Sequence, residues 1–114
     1  MIKVLVLVDT HREFDILMNK CYQDDVVYNN ARLAQAGWRK IDLRKPDGSM
    51  QIKISTADKE IFLGQRPDCV ITNNPEAIAY FSPICGVMTR EFVSEIFDEV
   101  RILLGGTTDA EEEN

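Results

Sequence analysis

Two short polar runs hold side chains able to do chemistry: Asp9-Thr10-His11 and Thr72-Asn73-Asn74. Each closes an apolar run, IKVLVLV at 2–8 and CVIT at 69–72. In open α/β sheets, ligands settle at the carboxyl ends of strands, where crossovers diverge. If the two apolar runs are neighbouring strands, Asp9, Thr10, His11, Thr72, Asn73 and Asn74 converge. Two helix N-termini then point at one place, each with free N–H groups for an anion. The chemistry this implies is binding of a small phosphate or a nucleotide. The competing assignment makes Thr10 and Asn74 plain N-caps, worth about 1 kcal/mol each.

His11 is the only histidine, the residue type most often used as a general acid or base. Asp9 or Asp15 could orient it as a base. No nucleophile accompanies it, since Ser49 and Ser55 fall in a separate hairpin region; a solvated first-turn histidine is the plainer reading. Asp9, His11 and Asp15 lack the spacing of a metal site, and no cysteine ligand lies near them. No catalytic motif is complete, so the expectation is a non-enzyme without metal or cofactor. Cys21, Cys69 and Cys85 form no CxxC pair. Their odd number and apolar neighbours suit buried thiols in a reducing compartment.

The elements that must position these residues follow from periodicity. Residues 2–8 are apolar except at Ile2's neighbour Lys3, the pattern of a strand covered on both faces. Thr10 with Glu13 forms a capping box, and Phe14, Leu17, Met18 and Cys21 give the next helix one apolar stripe. A second helical segment is predicted with Val27, Ala31 and Ala34 on one face, closed by Gly37 at the C′ position. Trp38, Ile41 and Leu43 alternate with charged residues, Lys-Pro-Asp-Gly at 45–48 makes a turn, and Met50, Ile52 and Ile54 continue with period two. This predicts a hairpin over about 39–55 with one wet face, placed at a sheet edge. Ser55 and Asp58 are positioned to cap a short helix ending at Gly64, with a strand over Glu60 to Leu63 as the alternative. Residues 68–72 form the second buried strand, and Asn74-Pro75-Glu76 is a helix start with proline at N1. A last helix is predicted from Thr89 to Leu104. The order is β-α(α)-β-β-(α)-β-α-α: a small single α/β domain over 1–106, with a central parallel strand pair, an edge hairpin and covering helices.

The whole chain has 114 residues, the length of one domain, and 28% are charged. Four of the six excess negative charges sit in residues 107–114, a tail expected to be disordered. The body carries only −2 and shows no overall basic face for duplex DNA. Arg12, Arg39, Lys40 and Arg44 remain candidates for a nucleic-acid contact. No apolar run approaches the ~20 residues needed to span a bilayer, and the N-terminal run lacks the features of a secretory leader. A cytoplasmic protein is expected, in its own cell or in a host cytoplasm.

GQRPDCVIT at 64–72 resembles the Gly-x-Arg-Pro-Asp-x-Val-Ile run that leads into the acidic strand of viral DNA-packaging (terminase-type) ATPases and related helicases. VLVLVDTHREFD at 4–15 resembles the strand and helix those enzymes use near nucleic acid. The similarity covers roughly 2–74 and implies a RecA-like core. The chain departs from the family where its chemistry resides. It has no GxxxxGK[ST] loop. Thr72 and Asn73 stand where the family's metal-holding Asp and catalytic Glu would be, and neutral groups do not anchor Mg²⁺ as carboxylates do. ATP hydrolysis is therefore expected to be absent.

The last helix carries more apolar residues than one stripe needs. Together with the segment at 82–88 this predicts an apolar patch through Ile84, Val87, Met88, Phe92, Ile96, Phe97 and Val100, and large patches mark contact sites. The expected partner is a second copy in a symmetric dimer, with another protein as the alternative. The leading expectation is thus a self-associating, non-enzymatic interaction module of viral type. The alternatives are a binder of a nucleotide or other small anion, and a nucleic-acid-associated protein.

Overall fold

The computed structural model describes residues 1–37 and 39–105, with the backbone alone at Gln35 and Ala36. Six strands form one mixed sheet: β1 (Ile2–Val8), β2 (Arg32–Gly37), β3 (Lys40–Arg44), β4 (Met50–Thr56), β5 (Cys69–Thr72) and β6 (Gly86–Thr89). Their spatial order is β2-β3-β4-β1-β5-β6. β1 pairs in parallel with β4 on one side and β5 on the other, and β6 extends β5 in parallel. β3 pairs antiparallel with β2 on one side and with β4 on the other. The chain is a small α/β domain, and its two most apolar runs are adjacent, central and parallel.

Helices lie on both faces: α1 (His11–Gln23), α2 (Asp25–Asn30), α3 (Lys59–Phe62), α4 (Pro75–Phe81) and α5 (Val93–Leu103). Successive strand residues face opposite layers, and β1 shows this directly. Val4, Val6 and Val8 join Phe14, Leu17, Met18 and Cys21 of α1 and Ile96 and Val100 of α5. Leu5 and Leu7 join Phe62, Ala77 and Phe81 under α3 and α4. Tyr80 packs edge-on to Phe81 at 4.8 Å between ring centroids, adding a tilted cluster with Phe62. Two ion pairs fix α5: Arg101 Nε donates to Asp24 Oδ2 at 3.0 Å, and Arg90 Nη2 to Glu99 Oε1 at 3.1 Å. Among the described residues no helix is long and apolar enough to cross a membrane.

Four local expectations are corrected. The second helix ends at Asn30, and residues 32–37 form β2 instead. Gly37 is the last strand residue and lacks the positive φ of a helix C-cap. Because β2 pairs outside β3, the hairpin of β3 and β4 lies inside the sheet, with β4 against β1. Residues 86–89 form β6, and the last helix starts after Phe92. Trp38 and the acidic run 107–114 lie outside the described residues.

The β3–β4 turn follows its sequence: Gly48 has φ 77, and Asp47 Oδ1 accepts from the Ser49 N–H and hydroxyl. The hairpin sends Ile41, Leu43, Ile52 and Ile54 into the core under α1 and α5. Its other face holds Lys40, Asp42 and Arg44 opposite Ser55, Lys53 and Gln51.

Candidate functional site

Five of the six residues at the strand ends meet, and His11 faces Arg39 instead. Parallel pairing of Leu7 with Thr72 brings the exits of β1 and β5 together, and a closed set of hydrogen bonds joins them. Thr72 is fully buried, and its hydroxyl donates to the Leu7 carbonyl at 2.7 Å while accepting from the Asn74 N–H at 3.0 Å. Asn74 Oδ1 accepts from the Ala77 N–H at 2.9 Å, which caps α4. Asn74 Nδ2 donates to Asp9 Oδ1 at 2.6 Å. Asn73 Oδ1 accepts from the Asp9 N–H at 2.9 Å, and its Nδ2 donates to Glu13 Oε2 at 2.7 Å. Glu13 Oε1 takes the Thr10 N–H, and the Thr10 hydroxyl takes the Glu13 N–H, each at 3.1 Å. The capping box predicted at Thr10 is present.

This geometry bears on the chemistry. The asparagine amides and both helix-capping oxygens are spent on the protein itself. Two carboxylates, Asp9 and Glu13, stand at the junction, and their charge opposes an incoming phosphate at any working distance. Thr72 and Asn73 act as a rivet between β1, β5, α1 and α4. The sequence identified five of the rivet's six principal members as site candidates; Glu13 entered only as a cap partner.

His11 is exposed on the first turn of α1, and its Nε2 lies 3.0 Å from Arg39 Nη1. Arg39 belongs to the β2–β3 turn and has a left-handed φ of 58, a conformation uncommon for a residue bearing a Cβ. The turn thus reaches the same rim as the exits of β1 and β5. Arg12 is exposed beside His11, while Lys40 and Arg44 project from the hairpin's outer face. Arg44 is tied to Asp42 at 3.3 Å. The four basic residues therefore split between the rim and the sheet face.

The interface candidates also divide. Ile96 and Val100 are fully buried in the core under α5, which corrects their assignment to a contact surface: a helix over a small sheet uses its broad apolar side internally. Val87 and Phe97 are half-buried and packed against the two core clusters, with Lys20 Nζ 5.8 Å from the Phe97 ring centroid. Ile84, Met88 and Phe92 are 45%, 37% and 58% exposed.

The cysteines are thiols at three depths. Burial, with the neighbouring Asp24 charge, pushes the Cys21 thiol up to about 12. Burial also raises Cys69 and Cys85, helped at both by Asp68. Among the described residues no group of three His, Cys, Asp or Glu side chains is placed to hold a metal.

A second polar constellation was not singled out from the sequence. Asp42 sits between Ile41 and Leu43 in a strand yet is buried on the face opposite theirs. Its Oδ2 accepts from Gln51 Nε2 at 2.8 Å as well as from Arg44. A groove of about 380 Å³ runs beside it, between the hairpin and α3. The available signal was an acid at a strand centre, flanked by isoleucine and leucine, in register with Lys53. No protein-family model matches the chain, and no curated protein or solved structure matches it either.

Proposed function

We propose that this chain is a non-enzymatic α/β interaction module, an accessory or regulatory protein of viral type that acts in the cytoplasm and self-associates. The viral and cytoplasmic parts rest on the likeness of residues 2–74 to packaging-motor cores and on the free thiols. The absence of hydrolytic chemistry is supported by the rivet, which locks Thr72 and Asn73 into structural bonds where the motors keep their acids.

One observation carries self-association: β6 ends the sheet, and three exposed apolar side chains follow that edge. Ile84 precedes the strand, Met88 lies in it, and Phe92 caps α5 just after it. Four-residue steps of extended chain span at most about 14 Å, which keeps the three near the β6 edge. Edge strands expose unpaired N–H and C=O groups and are commonly blunted with lysine or proline. Residues 86–89, Gly-Val-Met-Thr, contain neither. A twofold-related copy would add β6 antiparallel to β6, the self-complementary arrangement of a symmetric dimer.

Light scattering on a sizing column, over a hundredfold range of loading, tests this. The expected result is a concentration-dependent dimer that Met88→Lys converts to a folded monomer. A wild-type monomer at every loading, or a dimer indifferent to Met88→Lys and Phe92→Glu, refutes the assignment.

A further inference from the structure

The groove beside Asp42 has features of a small-molecule site that the interaction reading does not use. Its lining includes Leu5, Lys40, Asp42, Lys53, Glu60 and Gln65, and its volume falls within the roughly 300–1,000 Å³ typical of such sites. Asp42 is only 7% exposed. Gln51 and Arg44 both donate to its Oδ2, filling that oxygen's two lone pairs. Its Oδ1 is buried and accepts from nothing, and among the described residues it is the one buried side-chain polar atom in that condition. An unfilled buried acceptor costs about 1–3 kcal/mol, and more when charged. An ionised carboxylate only accepts, so the missing partner must be a donor.

The cations beside it impose the second requirement. Lys53 is directly in register with Asp42, and Lys40 is two residues along the same strand face. Neither ammonium is within ion-pair distance of an acid among the described residues. Cross-strand and i,i+2 spacings put both lysine backbones roughly 5–7 Å from that of Asp42. The flexible four-carbon stems let either ammonium turn over the groove. Leu5 and the half-buried Ile61 supply apolar wall.

We propose that this groove binds a small anion that also offers N–H donors, of the size of a purine nucleoside monophosphate with a guanine-type edge. The base places its N–H donors at Asp42 Oδ1, the ring lies against Leu5 and Ile61, and the phosphate is held by Lys40 and Lys53. A donor edge is required: adenine presents a ring-nitrogen acceptor at the corresponding position, which would face the carboxylate lone pairs. Because Oδ1 is enclosed, contact with the base requires the Asp42 carboxyl to turn toward the groove. The site is separate from the rim of β1 and β5 and does not depend on self-association.

Calorimetric titration of the full chain with GMP, AMP, guanosine and inorganic phosphate tests the assignment, with thermal shift as a parallel readout. GMP is expected to bind, with AMP weaker by roughly tenfold or more, as for sites that read a hydrogen-bonding edge. Guanosine and phosphate should each bind more weakly than GMP. Asp42→Asn keeps an acceptor for Gln51 and Arg44 but turns a donor toward the ligand, so it should abolish the preference for GMP over AMP. Lys53→Gln should weaken GMP and leave guanosine unchanged. No heat with GMP at millimolar concentration overturns the proposal, as does equal binding of GMP and AMP. Phosphate binding as tightly as GMP overturns the role of Asp42 and leaves only a lysine pair. If Asp42→Asn does not fold, Lys53→Gln and the GMP-to-AMP ratio decide the matter alone.

Discussion

Replacing Asn74 with alanine probes the junction at the strand exits most directly. The substitution removes two bonds of different kinds. Loss of the cap to the Ala77 N–H at 2.9 Å should cost about 1 kcal/mol. The bond from Nδ2 to the Asp9 carboxylate, at 2.6 Å, is charge-assisted; such bonds contribute about 1.5–3 kcal/mol, and partial exposure of Asp9 argues for the lower end. The sum is about 2.5 kcal/mol, which corresponds to a fall in Tm of roughly 10 °C for a domain of this size. Urea denaturation followed by far-UV circular dichroism gives the free energy, and calorimetry the midpoint. Two further variants separate the contributions. Asn74→Ser keeps a capping oxygen and should recover about 1 kcal/mol. Asn74→Asp also keeps the cap but sets a second carboxylate against Asp9, so it should be less stable than Asn74→Ser at neutral pH. That deficit should shrink as the pH falls through the carboxylate range, where one of the pair takes up a proton. A loss below about 0.5 kcal/mol for Asn74→Ala, the scale of an ordinary surface change, would refute the view that these bonds hold β1 and β5 together.

The other expectations concern depth and chemistry. Thr72→Val is nearly isosteric but strands the Asn74 N–H, and should cost about 1–3 kcal/mol in the same denaturation assay. Ile96→Ala should lose about 2–5 kcal/mol without altering oligomeric state; a shift to monomer with unchanged stability would restore that residue to an interface. Phe97→Asp, which exposes a half-buried core contact and ends the approach of Lys20, should destabilise the fold by about 2 kcal/mol or more. Cys21 has its proton affinity raised from 9.0 to about 12, so the unfolded chain releases this proton first as the pH rises. Its contribution leaves stability intact below pH 9 and erodes it between pH 9 and 12. Ellman's reagent at pH 8 should accordingly spare Cys21 while reacting with Cys85; uniform reaction of all three thiols in the folded protein would contradict that depth.

What the sequence made legible was whatever local chemistry and the sheet agreed upon. The runs 2–8 and 69–72 read as buried parallel strands because both of their faces are covered. Thr10-Glu13 and Asn74-Pro75 announced helix starts through side chains that bond their own first turns. The hairpin turn was legible from Pro-Asp-Gly. β2 was not, because Arg-Leu-Ala-Gln-Ala favours helix locally, and pairing with β3 overrides a weak propensity. β6 was missed because four residues containing a glycine give no period to read. That strand also removed Thr89 from the predicted final helix. At the rim, residue types showed which groups would meet. They did not show that the groups would satisfy one another, since that depends on distances of 2.6–3.1 Å set by the pairing of β1 with β5. Asp42 stayed hidden because an acid in a hairpin strand reads as solvated, whereas Gln51 and Arg44 enclose it.

The position of β1 in the sheet has a consequence for how the molecule is made. It is the central strand, yet it emerges from the ribosome before either of its neighbours. Its bonds to β4 and β5 close loops of about fifty and sixty-five residues, and forming such distant pairings slows the rate at which a chain reaches its native state. The β3–β4 hairpin can form early from adjacent residues, but the valine-rich run has no partner until β4 is made, and its β5 side stays open until residue 72 is available. Until both neighbours are in place it is an apolar segment with open hydrogen-bonding groups on at least one side, the kind that aggregates or engages chaperones. Shortening the chain before β5 should therefore yield insoluble material rather than a smaller domain.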